Sequence, residues 1–144
     1  MFANLEIALY NPKYRVLLSV HHFYIGEILK ASRTELEGVL LIEPTIHGDC
    51  RGRFFESYKK EEYHAFGIED DFVQENQSLS QKNVLRGLHY RIEPEQAKLV
   101  RVIRGEVFDV VVDMRKKSPT FGKWQGFILS ESNHFQLYVP VGFA

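Results

Sequence analysis

The stretch "KLVRVIRGEVFDVVVDMR", Lys98 to Arg115, reads as two β-strands joined at a turn. Valine, isoleucine and phenylalanine, which suit a pleated and half-buried surface, dominate both halves, and Arg104-Gly105 punctuates them. In the second half a period of two puts Val107, Asp109, Val111 and Asp113 on one face and Phe108, Val110, Val112 and Met114 on the other. The wholly apolar set predicts the core-facing side. Asp109 and Asp113 are then read as solvent-facing or structurally hydrogen-bonded carboxylates rather than catalytic ones.

The same rhythm extends in both directions. "VLLIEP" (Val39–Pro44), "RFFESY" (Arg53–Tyr58), "DFVQENQSL", "NVLRGLHYRI", "WQGFILS" and "HFQLYVP" all read as strands, with "KKSPTFG" and "ESN" as turn signals. Between the second and third, "KKEEYHAFGI" carries the charges and the terminal Gly67 that suit one or two turns of helix. "SRTE" at Ser32–Glu35 has the form of a capping box, but Gly38 and a strand follow too soon for a helix. Many short strands at near-even spacing predict an all-β sandwich or barrel. Residues 1–30 lack this spacing and form an extension of unread role, which leaves 31–144 as the strand-rich domain.

A chain of 144 residues suits one domain. At that size roughly 68–70% of the unfolded surface can be buried, enough for a core without cross-links. A formal net charge of −1 excludes a nucleic-acid binder driven by a basic face. Cys50 is the single cysteine, so the chain has no internal disulfide and no cysteine-based zinc site, and a reducing cytoplasm is expected. Near the N-terminus, Glu6, Pro12, Lys13, Arg15 and the pair His21–His22 break the apolar runs. Neither a membrane span nor a secretion signal is predicted.

Polar residues fall where aliphatic ones are expected in "VQENQSLSQKNVLRGLHYRI", Val73 to Ile92. Strict alternation would place Phe72, Gln74, Asn76 and Ser78 on one face. Two readings fit: an edge strand wet on both faces, or Gln74 and Asn76 pointing together into a cavity to fix a polar ligand. Gly87 could host a bulge that re-aims Arg86 and His89. His89 is then either a satisfied core histidine or a base, and the cations Arg86 and Lys98 nearby give weight to the second. No metal motif is present, because His89 lacks a histidine two residues away and His47, His64 and His134 have no evident partner. Nor is there a phosphate-cradling glycine loop or a G-x-S-x-G turn, so a phosphate would be held by arginine forks.

Taken in order, "GDCRGRFFESY", "FVQENQSLSQKNVLRGLHY", "KLVRVIRGEVFDVVVDMRKKSPTFGKW" and "QLYVPVGFA" resemble the dTDP-4-dehydrorhamnose 3,5-epimerases, from about Gly38 to Ala144. The resemblance implies a cupin-type jelly roll and a homodimer that exchanges an N-terminal strand. It also implies epimerisation of a dTDP-4-keto-6-deoxy sugar at C3 and C5 with no metal or other cofactor. By position, His89 matches the general base and Lys98 the lysine near the C4 oxygen. Arg86 matches a substrate-contacting arginine and Arg51 one that contacts the diphosphate. Phe54 and Glu56 match residues near the nucleotide, and Gln74 and Asn76 match polar nucleotide or sugar contacts. Protons α to a ketone suit a histidine base when a cation stabilises the enolate oxygen.

Two departures stand out. Lys98 follows His89 sooner than in the family, and the family continues past "GFA" into "HGF" and further strands. The family's tyrosine acid and the aspartate that pairs with the base lie there, so a shortened member is expected, with its last strands missing. Within the chain, Tyr90 and Tyr138 are the first to examine for the acid. Alternatives are a related single-carbon epimerase or ketoisomerase, and a catalytically dead sugar-nucleotide binding module.

Overall fold

A computed structural model describes the backbone of residues 2–6 and residues 29–144 in full. Pro12, Lys13, Arg15 and the pair His21–His22 lie outside the described residues. The decisive stretch forms β7 (Gln96–Arg101) and β8 (Glu106–Val112), with β8 pairing antiparallel to β9 (Trp124–Ser130) from Glu106↔Ser130 to Val112↔Trp124.

The expected core face of β8 is corrected. Val111 and Asp113 are buried, whereas Phe108 is 62% exposed and Met114 is exposed too. Val111 meets Phe127 and Leu129 of β9 against Leu137, Val139, Leu36 and Val39. Phe108 instead covers Gly126 from outside, where an added Cβ would come within 2.3 Å of its ring. Period two fixes which residues share a face, not which face the second layer will cover.

The larger sheet has the order β2-β3-β10-β7-β1-β6. Its members are β1 (Phe2–Glu6), β2 (Leu29–Arg33), β3 (Leu40–Pro44), β6 (Phe72–Asn76), β7 and β10 (Gln136–Val139). The run β2, β3, β10, β7 is antiparallel, and β1 pairs parallel with both β7 and β6. This sheet and β8–β9 enclose the first core. A second core on the opposite face joins Ile42, Ala97, Leu99 and Tyr138 to Tyr63 and Ile68. Burial of each leucine or isoleucine there contributes about 1.5–3 kcal/mol.

Tyr63 comes from α1 (Lys60–Ala65), the expected helix. Glu61 and Glu62 sit in its first turn, and Gly67 follows at φ +84° with its N–H on the His64 carbonyl. In the SRTE segment Ser32 and Arg33 end β2 and no helix follows, and the Thr34 hydroxyl accepts from the Leu36 amide at 3.2 Å. The strand expected over Arg53–Tyr58 is shorter. Only the hairpin β4 (His47–Asp49) and β5 (Gly52–Phe54) is extended.

The strand expected over "NVLRGLHYRI" is also corrected: residues 77–95 contain none. Asn83 at φ +68° and Gly87 at φ +111° interrupt the extended run. No strand among the described residues lies beside it to take up its backbone hydrogen bonds.

Candidate active site

Strand β6 carries a bulge. Phe72 is in register with Ala3 and Ala97, and the next pairing is Gln74 with Asn4 and Lys98, so Val73 is the extra residue. The shared face expected for Phe72, Gln74 and Asn76 is therefore corrected. Phe72 turns to the second core and meets the Tyr58 ring edge-on at 5.6 Å. Gln74 and Asn76 turn to the face of Lys98. The row Gln74, Asn4, Lys98, Val139 crosses four strands at one level. Gln74 donates its amide N–H to Asn76 Oδ1 at 3.0 Å, and both are exposed on a strand that forms the sheet edge.

Lys98 brings the loop 77–95 to this row. Its ammonium reaches the backbone carbonyl of His89 at 3.5 Å, which tethers the histidine-bearing segment to the strand. His89 itself is exposed. Arg86 donates from Nε to Ser80 Oγ at 2.9 Å within the same loop. The bulge expected at Gly87 is found instead at Val73, where it re-aims the amides rather than the histidine.

The remaining expected residues sit on or just after the β4–β5 hairpin. Arg51 donates from Nε to Asp49 at 3.0 Å, and its backbone N–H bonds the same carboxylate at 2.8 Å. These bonds hold the Asp49 carboxyl below its ordinary range and raise the guanidinium. Phe54 is 64% exposed. Glu56 is half-buried, and its Oε2 is buried with no hydrogen-bond partner among the described residues. Among the described residues, no hydrogen bond or ion pair joins Arg51 or Phe54 to Lys98 and its row. The expected residues thus lie on two separate segments, the β6–β7 row with loop 77–95 and the β4–β5 hairpin with the residues after it.

Of two buried polar networks, the sequence reading allowed for a structurally hydrogen-bonded Asp113 without its partners, and missed the second. In the first, Asp113, completely buried, accepts from the Arg115 backbone N–H and Nε and from Arg115 Nη2 (2.8 Å), Ser118 Oγ and Thr120 Oγ1 (both 2.6 Å). These bonds, led by Arg115, hold its carboxyl well below the usual carboxylate range. In "DMRKKSPT" five side-chain donors follow the aspartate within seven residues, and Arg115, Ser118 and Thr120 are the ones that bond it. In the second, Tyr63 donates its hydroxyl to Gln136 Oε1 at 2.8 Å, and Gln136 Nε2 donates to the Ser57 carbonyl at 2.9 Å. No local pattern links positions so far apart in sequence.

Tyr138 projects into the second core, and its hydroxyl donates to Asp70. Burial, aided by Asp70, raises its pKa well above the phenol range. Among the described residues no three His, Cys, Asp or Glu side chains come together as a metal-holding group.

A six-stranded sheet packed on the β8–β9 pair, with Gln74, Asn76 and Lys98 on one face and the histidine-bearing loop tethered there, is a cupin-type β fold. Within that class the chain belongs to the dTDP-4-dehydrorhamnose 3,5-epimerase family, whose model matches residues 33–144. It is 55% identical over 114 residues to the dTDP-4-dehydrorhamnose 3,5-epimerase of Shigella flexneri, covering 78% of this chain and 63% of that protein. It also superposes on a dTDP-6-deoxy-D-glucose-3,5-epimerase from Legionella pneumophila, solved with dTDP-4-keto-L-rhamnose, at TM-score 0.78 and 52% identity. That match covers 81% of this chain and 62% of the other. A 3'-monoepimerase from Streptomyces bikiniensis, solved with dTDP-quinovose, matches at TM-score 0.71 and 39% identity over 76% of this chain and 57% of its own. The chain thus spans a little under two thirds of the length of these relatives.

Proposed function

We propose that the chain serves epimerisation at C3 and C5 of dTDP-4-dehydro-6-deoxy-D-glucose, giving dTDP-4-dehydro-L-rhamnose for surface polysaccharide synthesis. The observation that carries this is the seating of the Lys98 ammonium against the His89 carbonyl, beside the Gln74–Asn76 amide pair. In this reading His89 removes the proton α to the ketone, and Lys98 stabilises the enolate oxygen. Gln74, Asn76 and Arg86 fix the sugar and nucleotide, while Arg51, Phe54 and Glu56 hold the diphosphate and nucleoside. Residues 31–144 form the catalytic domain, to which β1 of the extension adds a strand. A homodimer in the cytoplasm completes the proposal. An exposed Cys50 thiol suits a reducing compartment, and among the described residues no helix is long and apolar enough to cross a membrane.

A second reading rests on the likeness to the 3'-monoepimerase, namely exchange at one carbon only. Solvent deuterium incorporation into the dTDP-4-keto sugar separates the two. Label at C3 and C5 supports the first reading, label at C3 alone the second, and no label with retained nucleotide binding leaves a binding module.

A further inference from the structure

We propose that Tyr63 and Gln136 are positioning residues for Glu56, acting through the Ser57 carbonyl to hold a preformed acceptor for the nucleoside half of the ligand. The inference rests on the reading above that Glu56 contacts the nucleotide.

Residues 55–58 belong to no helix or strand, yet each neighbour of Glu56 is anchored. On one side the Phe55 ring lies 5.0 Å from the His134 ring. On the other side the Ser57 carbonyl accepts from Gln136 Nε2 at 2.9 Å and lies 3.2 Å from the Tyr63 hydroxyl. The next ring, Tyr58, packs 4.8 Å from that of Tyr63. Gln136 is completely buried and Tyr63 almost so. Gln136 gives its oxygen to Tyr63 and one N–H to Ser57, and its complete burial keeps the amide from a ligand.

A buried polar pair of this kind adds little net stability, since an apolar pair of the same shape would do nearly as well. Its physical product is a fixed geometry. Beside it, Glu56 carries a buried carboxylate oxygen with no donor among the described residues. A buried acceptor left unsatisfied is destabilising, and a ligand N–H or O–H would relieve that on binding. A carboxylate held in place before the ligand arrives loses no side-chain entropy at that moment. The clasp and the orphan oxygen are therefore two parts of one device.

The test is a double-mutant cycle on affinity for deoxythymidine diphosphate, read by calorimetry with Tyr63→Phe, Gln136→Met, Glu56→Ala and the two doubles. Tyr63→Phe is expected to weaken binding on the order of five- to fifty-fold, and to have no further effect once Glu56 is alanine. Deuterium uptake at residues 55–58 is expected to rise in Tyr63→Phe and Gln136→Met alike. Should Gln136→Met fail to fold, the Tyr63→Phe cycle decides alone, because phenylalanine keeps the ring in the core. Equal losses with and without the Glu56 carboxylate overturn the inference while sparing the nucleotide reading. A parent chain that does not bind deoxythymidine diphosphate overturns both.

Discussion

Replacing Asp113 by asparagine tests what holds the β8–β9 layer to the end of the chain. The carboxylate gathers five donors, three of them from Arg115. Arg115 in turn lies over the Phe143 ring at 4.3 Å, and β-type bonds tie Val112 to Ala144 and Met114 to Gly142. Asparagine keeps one acceptor oxygen and presents an N–H₂ group to Arg115 Nη2, Ser118 and Thr120. The two hydroxyls can turn to accept from it, but the guanidinium cannot. Loss of one charge-assisted bond and weakening of the others costs about 3 kcal/mol, the lower end for a broken buried pair. For a chain of this length that lowers the melting temperature by about 10 °C. Urea and thermal unfolding of Asp113→Asn would show it.

The pH dependence has a definite sign. The folded carboxyl lies below its unfolded value of about 3.9, so its contribution is complete above that pH and declines as pH falls toward the folded value. A variant within about 1 kcal/mol of the parent at pH 7, with no narrowing of the gap on acidification, would refute the reasoning.

Other outcomes follow from the geometry. His89→Ala is expected to lower solvent proton exchange on the order of 10²–10⁴-fold while deoxythymidine diphosphate still binds; unchanged exchange would remove His89 as the base. Gly126→Val is expected to cost only about 1 kcal/mol, because the exposed Phe108 ring can swing aside, and a loss of 3 kcal/mol or more would show that the ring is fixed. Chelator treatment should leave exchange intact, since no metal-holding group is found among the described residues, and rescue by added zinc or iron would reverse that. Tyr138→Phe should leave exchange unchanged and lower thermal stability, whereas lost exchange in a folded variant would place its hydroxyl in the chemistry.

Strand existence was legible where apolar alternation was strong, as in β7, β8, β9 and β10. What alternation could not decide was which face is covered: Phe108, Val110, Val112 and Met114 look like core, but the second layer packs on Val111. The bulge at Val73 was hidden for a related reason. Register is set by the pairing strands, and β1 comes from the segment whose pattern said least. "NVLRGLHYRI" looks like a strand locally, yet extended backbone needs a neighbour, and none of the described strands provides one. The site residues came from the resemblance more than from periodicity. The Tyr63–Gln136–Ser57 contact joins residues far apart in sequence and leaves no local mark.

The large sheet divides its work between its two faces. Gln74, Asn76 and Lys98 project to one, with the His89 carbonyl drawn in against Lys98. Leu99 and Tyr138, directly paired across β7 and β10, project to the other, where α1 covers them. Side chains on opposite faces of one sheet are separated by its backbone layer, so the Tyr138 hydroxyl, bonded to Asp70, does not reach a ketone held at Lys98. Its raised pKa reports burial in the second core rather than poise for proton delivery. Tyr90 follows His89 directly on the loop that Lys98 tethers and is exposed. Inversion requires a proton removed from one face of the carbon and another delivered to the opposite face. In the proposed reaction that second proton must therefore come from a group other than Tyr138.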